Sequence, residues 1–146
     1  MSQQNVEMVK GLMLAPDADI AALFRDDDRW AAVVEAVSPI LHADFECTAT
    51  LFGSETRIYG QGPDGFRAFW LDWTAPWATY RTETEDITDL GDRVLQFGRE
   101  FGRREGSTRE VKAFNAAVWT FRDGKVVGFD AYADRAKALK AVGLAG

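Results

Sequence analysis

The chain has 146 residues, 47% of them hydrophobic and 27% charged, which fits one ordinary folded domain and excludes a disordered or collagen-like polypeptide. Seventeen basic against 23 acidic residues leave a formal charge of −6, a balance that argues against nucleic-acid binding through a basic face. A lone cysteine, Cys47, excludes an internal disulfide and a cysteine-rich zinc site.

The first third predicts helix. Val6, Val9 and Met13 recur at helical spacing, and Pro16-Asp17 opens a short segment carrying Ile20, Leu23 and Phe24. Asp26-Asp27-Asp28 supplies an N-cap and an acidic first turn for a helix with Trp30, Val33, Val34 and Val37 on one face, closed by Pro39. From His42 the period changes. Asp44 to Phe52 alternates as a strand, with Phe45, Cys47, Ala49 and Leu51 on one face and Glu46, Thr48 and Thr50 on the other.

A glycine-rich loop then leads to an amphipathic helix from about Asp64 to Trp73, with Phe66, Phe69, Trp70 and Trp73 at i, i+3, i+4 and i+7 and Asp64 as its N-cap. Strands follow at about 79–89, 93–105, 109–122 and 125–133, joined at Gly91-Asp92, Gly106-Ser107 and Asp123-Gly124. Such short turns predict antiparallel neighbours. A last helix runs from Asp134 to Gly143, with Leu139 and Val142 inward. Helices, then a long antiparallel sheet, then a closing helix define a single α+β domain over residues 1–146.

Two motifs carry less than they suggest. Gly60-Gln61-Gly62-Pro63-Asp64-Gly65 matches the dinucleotide fingerprint literally, but antiparallel hairpins follow it and Pro63 removes a phosphate-cradling donor. These glycines are expected to turn the chain sharply into the aromatic helix. His42 is the only histidine, so a multi-histidine metal site is excluded, and at a helix-to-strand junction a capping or hydrogen-bonding role suits it. No metal and no cofactor is expected. No apolar run reaches the roughly 20 residues that span a bilayer, and the first ten residues lack a secretory layout; a cytoplasmic protein without membrane contact is the expectation.

Eighteen aromatic residues imply a large core, an apolar pocket, or both. The informative feature is polar side chains on strand faces expected to point inward: Glu46, Thr48, Gln96, Glu100 and Asn115. A carboxylate among rings has its pKa raised by desolvation, which suits a general acid or base. Local hydrogen bonding with no chemical role explains the same pattern, and a bulge would shift the parity.

The chain resembles a SnoaL-like domain of the nuclear transport factor 2-like superfamily. The resemblance is carried by Asn5-Val6-Glu7-Met8-Val9, by Asp44-Phe45-Glu46, by Gly60 with Asp64-Gly65-Phe66-Arg67-Ala68-Phe69, and by Gly91-Asp92-Arg93-Val94. The most specific part is the ending, Val118 to Val126 and then Tyr132 to Leu139. The resemblance implies a cone-shaped α+β barrel, its N-terminal helices packed on a curved antiparallel sheet around an apolar cavity, in a homodimer. It also implies two alternative functions: binding of a small, mostly apolar molecule without catalysis, or cofactor-independent acid–base chemistry as in isomerases, cyclases and epoxide hydrolases.

Carried over by position, the epoxide hydrolases' acid on the second long strand falls at Glu100 and the arginine before it at Gly98. Their water-positioning pair falls at Glu46 and Thr48, and their second acid at Ala131, which takes no proton. The isomerases' base falls near Thr48. The expected proton-transfer groups are therefore Glu100 or Glu46, with Asn115 and Gln96 orienting a carbonyl or hydroxyl. Trp70, Trp73, Tyr80, Trp119 and Phe129 are expected as wall, while Phe66 and Trp30 are expected as packing.

Overall fold

A computed structural model describes residues 2–13, 15–53 and 55–144. In chain order the elements are α1 (Ser2–Leu12), α2 (Ile20–Arg25), α3 (Asp27–Val37), β1 (Leu41–Thr50), β2 (Thr56–Gln61), α4 (Gly62–Trp73), β3 (Thr79–Asp89), β4 (Arg93–Arg103), β5 (Glu110–Arg122), β6 (Lys125–Tyr132) and α5 (Arg135–Ala141). No helix among the described residues is long and apolar enough to cross a membrane.

The local chemistry explains the boundaries. Asp26 caps α3, its side chain accepting from the backbone N–H of Asp28 (2.9 Å) and Arg29 (3.1 Å). Asp19 caps α2 through Ala22 N–H and also accepts from Tyr80 N–H at 3.1 Å, so one carboxylate starts a helix and fastens it to β3. Helix α4 starts two residues before the predicted Asp64, at Gly62, with Gln61 at the cap and Pro63 in the first turn, where its missing N–H costs nothing. Gly60 and Gly62 hold φ of +97° and +70°, and a Cβ on Gly65 would lie 2.5 Å from the Gly60 carbonyl oxygen. The glycine string is thus a tight strand-to-helix corner.

The six strands form one open, curved sheet in the order β2-β1-β6-β5-β4-β3. Neighbours are antiparallel except β1 and β6, which run parallel, Cys47 opposite Phe129 and Ala49 opposite Ala131. The β5–β6 hairpin turns on Asp123 and Gly124, both at positive φ (54° and 77°), the geometry of a two-residue turn matched to strand twist.

One sequence expectation changes here. The stretch before Gln61 includes a strand, β2, because it adds to the edge of β1 with Ile58 70% exposed and so shows no apolar alternation. A register shift between Thr120 and Phe121 brings Val126 into the core beside Phe121.

Helices α1, α2 and α4 pack on one face of the sheet, where Val9, Phe69 and the α2 residues Ile20 and Phe24 meet strand residues such as Phe45, Trp119, Phe129 and Tyr80. On the other face, α5 buries Ala138 and Val142 against Leu95, Ala116 and Val118. The curved sheet therefore has two cores, and the helix-covered inner face holds the larger one.

Candidate functional site

The inner face does not close completely. A cavity of about 330 Å³ lies between the helices and strands β3 to β6. Its apolar side is built from Phe24, Phe66, Phe69 and Trp70 on the helices and Trp119 and Phe129 on the sheet. These rings hold one another. Phe24 stacks on Trp70 at 5.6 Å, while Phe66 meets Phe129 edge-on at 5.4 Å and Trp119 meets Phe129 at 4.5 Å. Leu12, Met13, Pro16 and Ile20 complete this side from the α1–α2 region.

The opposite side carries a polar strip. Register places Gln96 beside Ala117, Gly98 beside Asn115 and Thr84 beside Gly98 on one face of β3, β4 and β5. Trp119 Nε1 donates to Gln96 Oε1 at 2.9 Å, Gln96 Nε2 donates to Thr84 Oγ1 at 3.0 Å, and Thr84 Oγ1 donates to Met13 Sδ at 3.0 Å. Glu83 also borders the cavity, but its carboxylate is paired with Arg81 (3.2 Å) and Arg99 (3.8 Å).

Glu100 lies behind the wall rather than on it. Its Oε2 accepts from Asn115 Nδ2 (2.5 Å), the Tyr80 hydroxyl (2.8 Å) and Trp73 Nε1 (3.2 Å), and Trp73 Nε1 also reaches the Tyr80 oxygen at 3.0 Å. Asn115 and Trp73 border the cavity; Glu100 and Tyr80 do not. Tyr80 is 1% exposed, and burial first, then the neighbouring Glu100 charge, push its hydroxyl well above its usual pKa. It is a neutral donor that holds a carboxylate in place.

Several residues expected in the site thus line the cavity: Asn115, Trp70, Trp73, Gln96, Trp119, Phe129 and Ala131. Phe66, expected as packing, lines it as well, whereas Trp30 is buried away from it. Tyr80 is displaced from wall to support. Glu46 and Thr48 are corrected outright. Because Phe45, Cys47 and Ala49 take the inner face, alternation turns Glu46 and Thr48 to the outer one. There Glu46 is exposed and the Thr48 hydroxyl bonds the Asp130 carboxylate.

Asp130 itself was not anticipated. Burial, followed by the Glu46 charge, raises its carboxyl pKa, against the lowering effect of the Thr48 bond. Phe24, Ile20, Thr82 and Thr84 were also missed as cavity residues; the alternation of Tyr80, Thr82 and Thr84 on β3 was the available signal.

One outer-face side chain supports the polar strip from behind. Arg135 Nε donates to the Asn115 carbonyl (3.2 Å), and its Nη2 to the Gly98 carbonyl (2.8 Å) and to Glu85 (2.9 Å). The guanidinium also sits against the rings of Phe97 (4.6 Å) and Phe114 (4.8 Å). Glu85 falls in the register shift of β3, between Thr84 and Asp86, so the bulge re-aims the acid that completes this clamp.

An open curved sheet, helices on its inner face and an apolar cavity between them define an α+β cone. The sequence profile of the SnoaL-like domain matches residues 26–129, and the chain belongs to that family. Among solved structures, a protein from Jannaschia Sp. CCS1, provisionally assigned as a SnoaL-like polyketide cyclase, is similar with a TM-score of 0.60 at 20% identity, over 96% of this chain and 92% of its own. A nuclear transport factor 2-like protein of unknown function from Burkholderia pseudomallei gives 0.59 at 19% identity, over 95% and 97%. Bal32a, from a soil-derived mobile gene cassette, gives 0.57 at 15% identity, over 89% and 88%. These likenesses establish the fold. No curated protein matches the chain.

Proposed function

We propose that the protein binds a small, mostly apolar, ring-bearing molecule in the cavity and does not transform it. The observation that carries this reading is the cavity itself: about 330 Å³, walled by aromatic rings, with a short polar strip. Ligand pockets start at roughly 300 Å³ and share this mixture of apolar wall and few polar groups. Glu100, the expected proton-transfer group, does not border the cavity, and three donors already occupy its Oε2.

The test uses tetralin as a minimal probe. Titration should change the tryptophan emission saturably, because Trp70, Trp73 and Trp119 border the space. Ala131→Leu, which fills part of the cavity, should weaken binding while leaving a cooperative unfolding transition. Emission unaffected by tetralin in the intact protein would overturn the proposal. A homodimer, expected from the family resemblance, belongs to the same reading and is checked by sedimentation against the 16.2 kDa of one chain.

A second reading, cofactor-independent acid–base catalysis, is favoured by one observation: Tyr80, Trp73 and Asn115 fix a carboxylate oxygen directly behind the cavity wall. Turnover of a small enone, lactone or epoxide that disappears in Glu100→Gln would support it, and turnover unchanged by that substitution would remove Glu100 from the role.

A further inference from the structure

The hydrogen bonds of two amide side chains determine which of their atoms remain for a ligand. An indole N–H can only donate, so Trp119 requires the oxygen of Gln96 and turns the Gln96 NH2 toward Thr84 and the cavity. One of its two hydrogens is spent on Thr84, and the other is left. Glu100 imposes the opposite choice. An oxygen that collects donors from Tyr80 and Trp73 takes the NH2 of Asn115 as well, so the Asn115 oxygen turns the other way. It lies over Gly98, at 2.6 Å from where a Cβ would stand, and only glycine leaves it that place.

We infer that Gln96 Nε2 and Asn115 Oδ1 form a fixed donor–acceptor pair that selects a neutral ring compound bearing both a carbonyl and a hydroxyl on one edge. This deepens the ligand-binding reading and rests on it. Gln96 pairs with Ala117 and Asn115 with Gly98, so the two amides are diagonal neighbours on one sheet face. The carbonyl accepts from Gln96, the hydroxyl donates to Asn115, and the ring body lies against Trp70 and Phe66. The ligand is uncharged because the described lining residues offer no cation to it, and their single acid, Glu83, is already paired.

Four probes of nearly equal size separate the terms: tetralin, a tetralone, a tetrahydronaphthol, and a tetralone with a ring hydroxyl meta to the carbonyl-bearing carbon. Calorimetric titration should show the hydroxytetralone binding at least tenfold tighter than tetralin, with the single-group probes between them. A tetralin carboxylate should bind more weakly than tetralin. Gln96→Met should erase the gain from the carbonyl and keep that from the hydroxyl. Asn115→Leu should do the reverse, each gain being read as the ratio to the same variant's own tetralin affinity. Gln96→Glu, which still accepts from Trp119 but has no donor, is the second variant and should also lose the carbonyl gain. Equal affinities for the four neutral probes, or the two gains lost in the wrong variants, would overturn the pair while leaving the ligand-binding reading intact. Failure of all four to bind would overturn both.

Discussion

The Tyr80 hydroxyl donates to Glu100 Oε2 across 2.8 Å, tying β3 to β4 behind the cavity wall. Because the same oxygen serves Trp73 and Asn115, the carboxylate is the common acceptor of three donors, of which Trp73 alone also reaches a second acceptor, the Tyr80 oxygen. Glu100→Leu should therefore cost about 3 kcal/mol, the penalty for leaving polar groups unpaired. Glu100→Gln, which keeps an oxygen, should cost about 1 kcal/mol. Denaturant titration distinguishes them; equal losses would show that the donors find other partners.

Two glycines of β4 should respond differently to the same methyl group. At Gly102 a Cβ overlaps the indole of Trp77, a rigid ring, and Gly102→Ala should lose about 3 kcal/mol. At Gly98 the obstacle is a single side-chain oxygen, and displacing it gives up the Asn115–Glu100 hydrogen bond, so Gly98→Ala should lose about 1 kcal/mol. Thermal unfolding gives the order, and the reverse order would place the tighter packing at Asn115.

Asp130 sets a pH dependence with a definite sign. Its pKa is raised in the folded protein above the ordinary 3.8, so the folded state holds a proton that the unfolded chain has already released. The resulting penalty grows as pH rises from near 3.8 and is complete once pH passes the folded value. Asp130→Asn keeps an acceptor for Thr48 and removes the penalty. It should be more stable than the parent at neutral pH, with the advantage shrinking on acidification toward 3.8. An advantage that is constant with pH would show that ionisation is not its source.

Cys47 is fully buried in the inner core, and burial, reinforced by the Asp130 charge, pushes its thiol far above the usual range. The native protein should resist thiol reagents at neutral pH and react only as it unfolds. Rapid labelling without denaturant would mean that β1 opens locally.

The capped and strongly periodic parts of this fold were open to reading from residues alone. Asp26 announces α3, and the spacing of Phe66, Phe69, Trp70 and Trp73 announces an aromatic helix face, because caps and helical periods are local properties. Facing directions across the sheet are not local. Phe45, Cys47 and Ala49 alternate with Glu46 and Thr48 in β1 just as Gln96 and Glu100 alternate with Leu95 and Phe97 in β4. Only pairing decides that the first apolar set and the second polar set share the inner side. The rim strand β2 escaped for another reason: Ile58 points outward, Tyr59 packs on Phe69 and the rest is polar or glycine, so no apolar alternation marks its sequence.

The Arg135 clamp carries a consequence for how the molecule is made. The carbonyls of Gly98 and Asn115 are gripped by a side chain 20 or more positions further on, and its acidic partner Glu85 lies 50 positions back. During synthesis, everything that surrounds the cavity is present before the residue that locks its polar strip has left the ribosome. The cavity is thus completed by a segment made after all of its lining, and a nascent chain that stops before Arg135 has the rings of the site without this clamp.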